Sequence, residues 1–124
     1  MIRILIADDH LLVRQRLIQL LTEGFPSSYL VETDDTASLL SQALENEWDI
    51  IISDLAMPGG GGLFAIEKIK NSKAHIPVLI ISIYPEEQYA QRVIQAGAAA
   101  FLSKDKADDD LITTVRSILS KAGK

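Results

Sequence analysis

A chain of 124 residues, 48% of them hydrophobic, has the size of one globular domain with its own core, and no second domain is expected. No cysteine is present, which excludes a disulfide framework and thiolate chemistry and fits a reducing compartment. A formal charge of −5 disfavours direct contact with nucleic acid or an anionic membrane, and strand-sized apolar runs without a secretory leader point to a cytoplasmic chain that crosses no membrane.

Ile2 to Ala7 is a nearly continuous apolar run, as in a strand covered on both faces, and it ends in two acids, Asp8 and Asp9. From Leu11 to Thr22 the residues Val13, Leu17, Leu20 and Leu21 recur at helical spacing, and Gly24 and Pro26 close the pattern. A short second strand is expected over Tyr29 to Glu32. Asp35 or Thr36 then caps a helix that carries Leu39, Leu40, Ala43 and Leu44.

Trp48 and Asp49 lead into Ile50 to Asp54, a β-branched run that ends on one carboxylate. A side chain at the end of a buried strand faces the rim of the sheet, where ligands bind. Pro58 and the glycines Gly59 to Gly62 stop the strand and let the backbone approach whatever the acid holds. A purely local role stays open here, since Asp is a common cap of the turn that follows it.

After the glycines, Leu63, Ile66 and Ile69 place a helix over Gly62 to about Asn71, and Pro77 to Ser82 is another apolar strand, ending in a hydroxyl. Pro85 and Glu86 suit the first turn of a helix that runs through Val93 and Ile94 to a stop at Gly97. Ala99 to Ser103 reads as a short strand followed by Lys104. Asp108 to Asp110 complement the positive end of a last helix whose core stripe is Leu111, Ile112, Val115, Ile118 and Leu119.

Strands alternating with helices in this way imply right-handed crossovers and a parallel sheet covered on both faces, a doubly wound α/β domain. Such sheets bind ligands at the carboxyl ends of their strands, which here offer Asp8 and Asp9, Asp54, Ser82 and Lys104. Three neighbouring carboxylates repel unless a cation joins them, and hard oxygen ligands favour Mg2+. Lys104 supplies a compact positive charge and Ser82 a hydroxyl donor, so an anion such as phosphate can be held beside the metal. Asp54 is then positioned as a nucleophile on phosphorus, giving an acyl phosphate.

Asp8-Asp9, Asp54 with Met57-Pro58 after it, Ser82, and Phe101 to Lys104 together resemble the receiver domain of bacterial two-component response regulators, over the whole of residues 1–124. The resemblance implies the flavodoxin-like strand order 2-1-3-4-5. It also implies that Asp54 is the phosphoacceptor, that Asp9 and Asp54 bind Mg2+ with the backbone carbonyl of Ala56, and that Asp8 helps through water. Ser82 and Lys104 would take the phosphoryl oxygens, with Ser82 and Phe101 as the switch pair. The implied function is signalling rather than enzymatic: a phosphoryl group is received from a sensor histidine kinase and a conformational change controls an output, transcription being the expected one.

His10, Arg14, Ala96-Gly97-Ala98 and the run from Phe101 to Asp105 are similar to receivers that precede a LuxR-type helix-turn-helix domain. Contact with DNA would then be made only through an output domain absent from this chain, and an excised receiver is expected over a single-domain regulator. Gly60-Gly61 depart from the bulky and acidic pair usual in this loop, and Asp105 from the usual Pro. A cis bond after Lys104 is not expected, since without Pro it costs about 3 kcal/mol.

A Mg2+-dependent phosphohydrolase of the haloacid dehalogenase type also uses a strand-end Asp, but it needs a second acid two residues on, where Ala56 stands. A nucleotide-binding module needs a glycine-rich turn after the first strand, where Asp8 and Asp9 would repel phosphate. A pseudo-receiver that signals without phosphate is disfavoured because every site position is filled. His10, beside the acids, could donate a phosphoryl group or bind a metal, but it reads rather as a solvent-facing helix-start residue, as His75 does in its loop. Tyr84 and Ala56 flank the site where the resemblance implies control of water access to the acyl phosphate, with Tyr84 equally read as packing beside Pro85. Leu12 falls opposite the apolar stripe of the first helix and is expected to be exposed. Regulators that this chain resembles often pair through their first and fifth helices, so the resemblance implies a phosphorylation-dependent homodimer with Leu12 in its seam.

Overall fold

A computed structural model describes all 124 residues. The apolar runs form strands β1 (Arg3–Ala7), β2 (Tyr29–Thr33), β3 (Ile50–Asp54), β4 (Val78–Ser82) and β5 (Ala100–Ser103). They alternate with helices α1 (Leu11–Gly24), α2 (Thr36–Glu45), α3 (Gly61–Ser72), α4 (Glu86–Gln95) and α5 (Ala107–Lys121). All strand pairings are parallel, and the order across the sheet is β2-β1-β3-β4-β5, as expected. Parallel neighbours need a crossover, and the amphipathic helices supply it while covering both faces. No helix is long and apolar enough to cross a membrane.

Alternation along the strands sorts the core into two layers. Ile4, Ile6, Ile50, Ile52, Leu79 and Ile81 pack with Leu17 and Leu21 of α1 and with Leu111, Val115 and Leu119 of α5. Their chain neighbours Leu5, Ile51, Val78 and Ile80 meet Leu39 and Ala43 of α2, Ile66 and Ile69 of α3 and Val93 of α4. Each of these buried Ile and Leu side chains contributes about 1.5–3 kcal/mol. Two filled layers therefore hold the sheet firmly and fix where its strand ends stand.

The element ends carry the differences from the sequence reading. Gly24, expected to stop α1, is its last residue, and a Cβ there would lie 2.6 Å from Ile112 Cδ1, so this glycine serves the close approach of α5. Asp35 caps α2 by accepting the Ser38 N–H at 2.7 Å. Buried Thr36 ties down the glycine loop: its Oγ1 accepts the Gly61 N–H at 2.9 Å, and its own N–H donates to the Pro58 carbonyl at 3.0 Å. Gly61 itself has φ +77°, and a Cβ would stand 2.6 Å from the Leu55 carbonyl oxygen; only glycine fits. A 3₁₀ turn over Lys104–Lys106 joins β5 to α5, too short to show as a periodicity. Every peptide bond is trans.

Candidate functional site

Strand order and parity bring the chemistry together. β1 lies beside β3 with Ala7 opposite Ser53, so Asp8 and Asp54 leave the sheet side by side. Asp54 follows Ile50 and Ile52, Asp8 follows Ile4 and Ile6, and Lys104 follows Ala100 and Leu102, all of which face the α1 and α5 layer. The three charged side chains thus emerge on one side of the sheet. Ser82 and Phe101 have the opposite parity, that of Ile80 and the α2, α3 and α4 layer.

The geometry follows this division. The Lys104 ammonium donates to Asp54 Oδ2 at 3.0 Å and stands 3.0 Å from Asp8 Oδ2. Asp54 is 3% exposed and Asp8 fully buried, while Asp9 is exposed. The other oxygen of Asp54 meets the Ala56 N–H only at 3.4 Å, a weak bond, so capping of the following turn is not the main role of this carboxylate. Ser82 makes no hydrogen bond to either residue; its Oγ accepts the Tyr84 N–H at 2.9 Å, leaving the hydroxyl proton free. Phe101 is half-buried against the α4 side of the core.

Burial pushes the Asp54 carboxyl above the usual carboxylate range; Lys104 opposes this and the nearby Asp8 charge adds to it. Asp8 Oδ2 is buried without a hydrogen bond: Lys104 is close, but not aligned to donate. That oxygen, orphaned of hydrogen bonds, is balanced only by the Lys104 charge 3.0 Å away, and a carboxylate oxygen so buried is costly until a donor or a metal ion meets it. One ligand atom each from Asp8, Asp9, His10 and Asp54 all lie within 4.8 Å of one another. The donor set and the orphaned oxygen fit a divalent cation.

The fold draws in two residues, His10 and Arg14, that the sequence reading named but did not place in the site. His10 Nδ1 is 3.1 Å from both Asp8 Oδ1 and Lys104 Nζ. Arg14 donates to the Asp8 carbonyl at 2.6 Å and to Glu32 at 2.7 Å, tying α1 to the ends of β1 and β2. The signal for His10 was its place directly after Asp8-Asp9; for Arg14 it was one helical turn further on. A groove of about 360 Å³ lined by Asp9, His10, Ala56, Pro58, Ile83 and Tyr84 opens onto Asp54.

A family model described as the response regulator receiver domain matches residues 4–116. The chain belongs to the response regulator receiver family. This receiver is 36% identical over 121 residues to the glycerol metabolism activator of Pseudomonas putida, covering 97% of this chain and 55% of that protein. It is 32% identical over 120 residues to the response regulator UvrY of Escherichia coli (strain K12), with 97% of this chain and 55% of that protein covered. The receiver thus spans about half the length of these curated relatives. Among solved structures, it is similar to a LuxR-family two-component response regulator from Aurantimonas sp. SI85-9A1, with a TM-score of 0.88 and 28% identity over 96% of this chain and 85% of that one. Receivers are signalling domains, and neither a phosphohydrolase nor a nucleotide-binding module is favoured: Ala56 supplies no acid, and β1 ends in carboxylates.

Proposed function

We propose that Asp54 receives a phosphoryl group from a sensor histidine kinase in the cytoplasm, and that the modified receiver switches an output which controls transcription. The observation that carries this reading is the Asp54 carboxylate at the floor of a groove, paired at 3.0 Å with Lys104 and flanked by Asp8 and Asp9. Transfer makes a bond from an Asp54 oxygen to phosphorus and breaks the bond from phosphorus to the kinase imidazole nitrogen, which leaves with the electron pair. Burial raises the basicity of Asp54 and Lys104 favours its ionised form, a combination suited to a nucleophile. Asp8, Asp9, Asp54 and the Ala56 carbonyl would hold Mg2+, which when bound neutralises charge on the phosphoryl oxygens.

Lys104, hydrogen-bonded to Asp54 Oδ2, is within reach of a phosphoryl oxygen on Asp54. Ser82 must turn to donate its free proton, and in turning it releases the Tyr84 amide. The loop carrying exposed Ile83 and Tyr84 then moves, and Phe101 fills the space at its side. This two-state repacking would signal to an output region in the part of the protein that the relatives carry beyond this domain, and to DNA through that region. Pairing of two copies through exposed Leu12 would bring two output regions to paired half-sites. Incubation with acetyl phosphate and Mg2+ tests acceptor chemistry without the kinase: the intact mass gains one phosphoryl group, and no gain overturns the reading.

A further inference from the structure

We infer that His10 is a fourth donor of the acidic cluster, and that its imidazole gives the site a preference for first-row transition cations over Mg2+. This rests on reading Asp8, Asp9 and Asp54 as a cation site. His10 is the N-cap residue of α1, yet its side chain makes no capping hydrogen bond. Its N–H donates to Asp8 Oδ1 at 2.8 Å, and the ring turns back over the acids. Nδ1 stands 3.1 Å from Asp8 Oδ1, 3.4 Å from Asp9 Oδ1 and 3.5 Å from Asp54 Oδ2. Adjacent ligands around an ion with bonds of ~2.1 Å are about 3 Å apart. One imidazole nitrogen is therefore spaced as the neighbour of an oxygen from each of three carboxylates.

Nδ1 stands between an acceptor and a donor, the Asp8 carboxylate and the Lys104 ammonium, each 3.1 Å away. A carboxylate only accepts and an ammonium only donates, so the ring meets one or the other by its tautomer, and in the tautomer protonated on Nε2 the Nδ1 lone pair faces the cluster. That arrangement sets lone pairs of Nδ1 and Asp8 Oδ1 against each other, a repulsion relieved by a shared cation. Lys104 now stands where such a cation would gather these donors, 3.0 Å from both Asp8 Oδ2 and Asp54 Oδ2. Asp8 Oδ2, fully buried and without a hydrogen bond, is aimed at the same point. Carboxylates alone suit Mg2+ and Mn2+, whereas an imidazole favours later metals, so the His10 contribution grows from Mg2+ through Mn2+ to Ni2+.

The wild type, His10→Ala and His10→Asn are titrated calorimetrically with Mg2+, Mn2+ and Ni2+. The side chain is 51% exposed and caps nothing, so both variants fold, which circular dichroism checks. Expected losses in the variants are at least about tenfold for Ni2+, about threefold for Mn2+ and less than about twofold for Mg2+. Pulsed electron paramagnetic resonance of the Mn2+-loaded wild type shows imidazole nitrogen modulation that both variants lack. Equal losses for the three ions, or no nitrogen modulation in the wild type, overturn the His10 assignment while leaving Mg2+ binding in place. A wild type that binds none of the ions overturns the cation-site reading and this inference with it.

Discussion

Lys104 and Asp54, 50 positions apart in the chain, are joined by a 3.0 Å hydrogen bond across the end of β4, the strand that separates theirs. The same ammonium neutralises Asp8, so it occupies the ground on which a divalent cation would act. Lys104→Met removes the charge with little loss of side-chain length. Divalent cation affinity should then rise at least about tenfold, ~1.4 kcal/mol, in a Mg2+ titration. Unchanged or weaker binding would show that the lysine and the cation do not compete.

Asp54 also has a signature in stability. Burial raises its folded pKa above the ordinary 3.8, so the proton favours folding. That contribution is complete below the unfolded pKa and is lost as pH rises through the folded one. Ionised Asp54 is therefore a burden at neutral pH, and Asp54→Asn should melt a few degrees higher than the wild type in chelator-treated buffer. The gap should close as the pH falls to about 4; a gap that widens on acidification contradicts the assignment.

Thr36 connects α2 to the loop beside the site through its bond to the Gly61 N–H. Thr36→Val keeps the shape and leaves that buried N–H without a partner, which costs about 1–3 kcal/mol. Urea unfolding should show a lower midpoint with an unchanged slope. No shift would mean that the loop satisfies itself.

The switch predicts a separation of modification from response. Ser82→Ala should take up the phosphoryl group from acetyl phosphate, yet the ring resonances of Phe101 should stay at their unmodified positions. If they move as in the wild type, Ser82 is not the link to Phe101.

Leu12 is 79% exposed, as its place opposite the apolar stripe of α1 predicts, and Leu11 beside it is 54% exposed. Light scattering with a phosphate mimic should show mass rising toward a dimer, and Leu12→Glu should abolish the rise. A dimer untouched by Leu12→Glu places the interface elsewhere.

Strand ends were legible because they are local: an apolar run that stops on Asp8, Asp54, Ser82 or Lys104 needs no knowledge of the rest of the chain. Periodicity alone gave strands and helices, while the order β2-β1-β3-β4-β5 came from the family resemblance. Pairings that bridge distant segments were hidden. Thr36 to Gly61 and Lys104 to His10 are set by which crossover passes where, and His10 read as an ordinary helix-start residue. Ser82 shows the limit of strand-end reasoning: it ends its strand as expected, but its parity differs from that of Asp54, so it faces the other layer until something draws it round.

The central claim is that Asp54 is the phosphoacceptor. After incubation with acetyl phosphate and Mg2+, borohydride reduction converts an aspartyl phosphate to homoserine, and peptide mass spectrometry locates the converted residue. Homoserine at position 54, with none in a phosphate-free control or in Asp54→Asn, is the predicted result; conversion at Asp8 or Asp9, or a phosphoryl group that survives in Asp54→Asn, would contradict it.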